Sequence, residues 1–156
     1  MGPPPFRFLP SADGTVEGPA FSLPFKLLAT LIVGGCAFWL AQIWATGALG
    51  SARTGGLGWF LAGIALMGWT WVAIVTSRTR LTREGLYQRW IWDKTMAYDD
   101  LAFGKLIRVR GLDWLIAPRL YVRTLFGKFA VFYGASPQLI AEFERLVSEL
   151  KAQRRL

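Results

Sequence analysis

Two long stretches without a charged residue constrain this chain more than any other feature. None occurs from Leu27 to Ala52 or from Thr54 to Ser77, and Arg53 alone separates the two runs. A helix of ~20 residues crosses ~30 Å of hydrocarbon at ~1.5 Å per residue, and both runs reach that length. A chain of 156 residues has too little remaining mass to bury two such helices as soluble core. The pattern predicts a transmembrane helical hairpin over 25–77, with spans near 27–49 and 57–76. The connection, Thr46 to Gly56, is short and rich in Gly and Ala, which suits adjacent antiparallel helices. Ala37, Ala41 and Ala45 recur every four residues on the first helix, and Gly58, Ala62 and Ala65 do much the same on the second. Small residues let helix backbones approach closely in lipid, though membrane helices are rich in Gly and Ala for other reasons too. Trp44 and Trp59 near the connection fit an interfacial belt.

Charge and apolar mass lie in different halves. Three basic and two acidic residues precede Ser77, whereas fifteen basic and eight acidic residues follow from it, so the second half holds +7 of the net +8. Lys26 stands before the first run, and Arg78, Arg80 and Arg83 follow the second. Basic flanks mark the cytoplasmic side, so both termini are expected there and the connecting loop outside. The lone cysteine, Cys36, excludes a disulfide within the chain and reads as a packing residue.

Residues 1–24 read as a flexible arm, because Pro3, Pro4, Pro5, Pro10, Pro19 and Pro24 crowd a weakly apolar segment. A signal peptide fits poorly, since the apolar run begins only at Leu27. From Ser77 the pattern changes to short β-rich runs parted by turn residues, and 78–156 is expected to form one small α+β domain. The runs are TRLT, LYQRWIW, TMAY, KLIRVR, DWLI, RLYVRT and KFAVFY, about seven strands in a barrel or sandwich arrangement. Ser136 can cap a closing helix and Pro137 suits its first position. Leu139, Ile140, Phe143, Leu146, Val147 and Leu150 then share one helical face over 137–154.

The segment SRTRLTREGLYQR directly after the second run, the Gly-punctuated strands and the helix SPQLIAEFERLVSEL together resemble the bacterial pleckstrin-homology-like (PH-like) domain in its membrane-anchored form. The resemblance covers about 27–156. It implies a β-roll of two antiparallel sheets capped by a helix, a place in the bacterial cytoplasmic (inner) membrane, and binding or scaffolding rather than chemistry.

A search for reactive groups is short. The chain has no histidine, so the commonest general base and metal ligand is missing. Asp99 and Asp100 are adjacent, and consecutive side chains on a strand point to opposite faces, so the pair reads as a turn. No glycine pattern fits a phosphate loop or a dinucleotide fingerprint. No enzyme activity and no cofactor are therefore expected. Arg108 and Arg110 would share one strand face, and Arg119 and Arg123 another. If those strands are neighbours, the four make a basic face for lipid head groups or an acidic partner, or a merely solvated one. Trp90 and Trp92 alternate with Arg89 and Ile91, which places both on one side of a strand, as core or at the interface. Expected partners are membrane lipids and a membrane protein or a second copy of the chain. Nothing resembles a nucleic-acid reading element, so nucleic acid is not among them. The expectation is an accessory or scaffolding membrane protein, with anionic-lipid binding or sensing as the alternative.

Overall fold

The computed structural model describes residues 4–11, 13–47 and 56–154. The protein is α+β, with two long apolar helices, two antiparallel sheets and a C-terminal helix. In chain order the elements are β1 (Val16–Pro19), α1 (Leu23–Ala45), α2 (Gly56–Thr76), β2 (Arg78–Leu81), β3 (Gly85–Arg89), β4 (Lys94–Ala97), β5 (Leu101–Ile107), β6 (Arg119–Thr124), β7 (Phe129–Tyr133) and α3 (Pro137–Arg154).

α1 begins before the uncharged run does. Ser22 caps it, its Oγ accepting from the Phe25 amide at 3.4 Å, and Pro24 sits in the first turn, where it sacrifices no helical bond. Its predicted end at Leu49, like Arg53 and the rest of 48–55, lies outside the described residues. The contact between α1 and α2 follows a spacing of three and four. Ala29, Val33, Cys36, Leu40 and Ile43 are half-buried on α1, opposite Ile64, Met67, Trp71 and Ile74 on α2. That is the seam of a left-handed helix pair. Trp71 Nε1 donates to Thr30 Oγ1 across it at 2.8 Å. The predicted packing residues are elsewhere: Ala37, Ala41, Ala45, Gly58, Ala62 and Ala65 are all exposed. The reason is geometric, since a repeat of four drifts off a seam that alternates three and four.

Four strands in the order β1-β2-β3-β4 form one sheet, and β5-β6-β7 form the other. Their facing sides and α3 enclose one core, including Leu81, Leu86, Leu101, Leu120, Val122, Phe132, Phe143 and Leu146. α3 lies close on the sheets because Gly134 has no side chain, and a Cβ there would stand 2.6 Å from Phe143 Cε2.

Three strand expectations are corrected. The arm is not free: β1 pairs with β2 in the register Val16↔Leu81 to Pro19↔Arg78. Phe6, Phe8 and Val16 are buried in the core, with the rings of Phe6 and Phe8 at 6.4 and 5.6 Å from that of Tyr98. DWLI is a series of turns, with Leu115 and Ile116 amides donating to the Leu112 carbonyl. KLIRVR leaves its ladder at Ile107, which pairs with Arg119, so Arg108 and Arg110 fall in the β5–β6 connection rather than on one strand face.

Candidate functional site

The joints between helices and strands are one or three residues long, and side chains lock them. Ser77 alone links α2 to β2; its carbonyl accepts from the Ala20 amide at 3.2 Å and its Oγ donates to the Arg89 carbonyl at 2.7 Å. Ser22 Oγ donates to the Leu115 carbonyl at 2.6 Å, tying the start of α1 to the β5–β6 connection. Lys26 Nζ donates to the Val75 carbonyl at 2.9 Å, where the last turn of α2 carries partial negative charge. Thr79 Oγ1 donates to the Tyr133 carbonyl at 2.6 Å and so joins the two sheets at this end.

These bonds gather three segments at the helix roots: the β3–β4 connection, the β5–β6 connection and the end of β7. Aromatic side chains of the β1–α1 joint, α1, the β3–β4 connection and β7 form a cluster. The Phe21 ring lies 5.3 Å from Phe25 on α1, 5.3 Å from Tyr133 and 6.3 Å from Trp90. Trp90 is half-buried there, while Trp92 is 69% and Trp114 63% exposed. β3 stops at Arg89, so the two tryptophans of LYQRWIW lie in a connection and do not share a strand face.

Two cations approach this cluster from different sheets, Lys94 on β4 and Arg119 on β6. Lys94 Nζ lies 4.9 Å from the Trp90 ring and 6.0 Å from Tyr133, and among the described residues its one polar contact is a long 3.4 Å bond to the Val131 carbonyl. Burial pushes the Lys94 ammonium below its ordinary value. The Arg119 guanidinium lies 5.6 Å from the Tyr133 ring, its register partner on β7. Arg119 Nε and Trp90 Nε1 are closed off from solvent and have no acceptor among the described residues. Among the described residues neither Lys94 nor Arg119 pairs with a carboxylate. Asp93, the nearest acidic residue in sequence, accepts instead from the Tyr87 hydroxyl at 2.9 Å. The result is two cations without a carboxylate partner among the described residues, set beside aromatic faces, chemistry that suits an anionic oxygen.

The basic residues singled out from the sequence are dispersed. Arg78 and Arg80 bind Glu17 of β1, at 3.3 and 2.6 Å, and hold its carboxyl below the usual range. Arg83 Nη2 donates to the Asp13 carbonyl at 3.4 Å. Arg108 pairs with Glu144 of α3, and Arg110 is exposed in the connection. Arg119 and Arg123 do share the outer face of β6, but Arg123 sits at the opposite end, beside Phe103 and Phe129. The four arginines therefore form no single face, because Arg108 and Arg110 leave the sheet. Lys94, Phe21 and Tyr133 were not singled out from the sequence. Their signal was weak: Trp-Asp-Lys at a turn between two β-runs, and Phe21 directly before the Ser-Leu-Pro start of the first helix.

Among the described residues no group of three acidic, cysteine or histidine side chains is placed to hold a metal ion. Compared with known proteins, the chain matches no family model, no curated protein and no solved structure.

Proposed function

We propose that this chain is a non-enzymatic integral membrane protein that serves as a scaffold or accessory subunit of a larger membrane assembly. In this reading α1 and α2 cross a bacterial cytoplasmic membrane as a hairpin. The α+β domain, a PH-like roll, rests on the cytoplasmic surface with both termini. One observation carries it: both helices are long and apolar enough to span, yet Ala73 is the only residue among their described side chains that is buried. Core helices of a soluble protein would be covered. Here Leu31, Phe38, Trp39, Trp44, Leu66 and Trp69 are all exposed, and Trp59 is 83% exposed. Water does not tolerate an apolar surface of that extent, whereas lipid and partner helices do. Two sheets and a closing helix around one core support the roll. The locked joints support a domain held at the surface rather than hanging from a tether.

A scaffold must have something to hold. Extraction of native membranes in mild detergent, followed by mass analysis of co-purifying chains, is expected to recover a stoichiometric membrane partner or a homo-oligomer. Recovery of a lone monomer would contradict the scaffold role. Anionic-lipid contact is a second reading, favoured by the aromatic and cationic cluster at the helix roots.

A further inference from the structure

We propose that Lys94 of β4 and Arg119 of β6, beside the rings of Trp90 and Tyr133, hold the phosphate of an anionic phospholipid at the base of the domain. The inference rests on the reading that α1 and α2 span a bilayer. Three observations converge on it.

The first is height. Phe21 precedes the Ser22 cap of α1 by one residue and its ring touches both Trp90 and Tyr133. The cluster thus stands at the mouth of the apolar helices, where head-group phosphates lie in a bilayer. The second is unmet bonding capacity. Among the described residues Lys94 Nζ has a single long carbonyl contact of 3.4 Å, and neither Lys94 nor Arg119 pairs with a carboxylate. Half-buried cations are ordinarily paired, and both of these carry full positive charge. The third is the neighbourhood. Trp92 and Trp114 project uncovered from the two connections that flank the cluster, the amphipathic residues that settle at a bilayer interface. The chain's net charge of +8 has the sign that draws an acidic lipid surface.

This differs from a spread of surface arginines. Arg108 is engaged by Glu144 and Arg123 stands at the far end of β6, so neither belongs to the seat. The phosphate could belong to a lipid or be free inorganic phosphate, and the test separates these.

The full chain, purified in detergent, is titrated with phosphatidylglycerol, phosphatidylcholine or inorganic phosphate and read by native mass spectrometry. Phosphatidylglycerol is expected to be retained roughly tenfold more tightly than phosphatidylcholine, since each cation near a lipid surface contributes a several-fold gain. Combining Lys94→Gln with Arg119→Gln should remove that preference, while Arg108→Gln with Arg110→Gln keeps it. The exchange pair Lys94→Arg with Arg119→Lys should keep it too, which guards against reading a folding defect as lost binding. Equal retention of the two lipids by the unaltered chain would overturn the proposal, as would release of bound phosphatidylglycerol by millimolar phosphate. Carbonate extraction of the same membranes separates the two claims. A chain that stays in the pellet without lipid preference refutes the seat alone, and a chain that is released refutes the span as well.

Discussion

Glu17 illustrates how much a single residue of the Pro-rich segment does. It lies on β1 opposite Arg80, and both Arg78 and Arg80 reach its carboxylate. The Arg80 hydrogen bond is the main cause of its lowered pKa, and burial opposes it. A carboxyl whose pKa falls on folding stabilises the fold above its ordinary value of 4.5, and that contribution fades as pH drops through the lower folded value. The pair is partly exposed, so it contributes about 0.5–1 kcal/mol at neutral pH. Glu17→Gln should therefore lower the melting temperature at pH 7, with the gap closing toward pH 3. A gap independent of pH would contradict this account. The arginines had been read from the sequence as markers of membrane sidedness, and that reading could not reveal their partners. A basic cluster after an apolar run satisfies the sidedness rule whether or not an acidic strand lies beside it. Lys26 is a similar case, since nothing in the sequence pairs it with the carbonyl of Val75 across the hairpin.

At the level of elements, the strongest lesson comes from residues 4–20. Proline density argued for a flexible arm, yet burial alternates strictly through Phe6, Phe8 and Pro10, then Gly14, Val16, Gly18 and Ala20. That period of two is the mark of a strand lying on a core, and Phe-Arg-Phe carried it in the sequence. Proline lowers the entropy lost when an extended segment docks, so it can favour such a strap as readily as a free tether. Arg145 fastens the strap from α3, stacking 4.7 Å over Phe8 and donating to the Ser11 hydroxyl at 2.7 Å and to the Leu9 carbonyl. Phe8→Ala should destabilise the domain by about 3–4 kcal/mol, read from denaturant unfolding of the detergent-solubilised chain. A loss under about 0.5 kcal/mol, typical of surface sites, would mean the strap is dispensable. Elements with a clear period and clear punctuation were legible. RLYVRT and the helix after Ser136 lie where their patterns put them, at Arg119–Thr124 and Pro137–Arg154. DWLI, equally apolar, turns instead, because positive φ at Gly111 and tight turns onto the Leu112 carbonyl close the segment on itself. The grouping of the residues proposed as a lipid seat was illegible for another reason: they come from the β3–β4 connection, β4, β6 and β7, and only the folding of the two sheets brings them together.

For the whole molecule, the sharpest contrast is between its parts. The sheets and α3 bury a continuous core, whereas the helical hairpin buries almost nothing except along its own seam. In the proposed reading the exposed hairpin surface meets lipid, and the locked joints at Ser22, Lys26 and Ser77 mark where lipid begins. The charge halves read from the sequence agree with this division, since the domain that follows the hairpin carries nearly all the positive charge. Two sites far apart in the fold report directly on that arrangement: Thr46, at the end of α1, and Lys151, in the last turn of α3. In a Cys36→Ser background, Thr46→Cys and Lys151→Cys are each exposed to a membrane-impermeant maleimide on intact cells and again after lysis. If the hairpin spans the membrane with the domain inside, Thr46→Cys is labelled before lysis and Lys151→Cys only after it. Labelling of Lys151→Cys on intact cells, or protection of both sites until lysis, would contradict the spanning hairpin with its inward-facing domain.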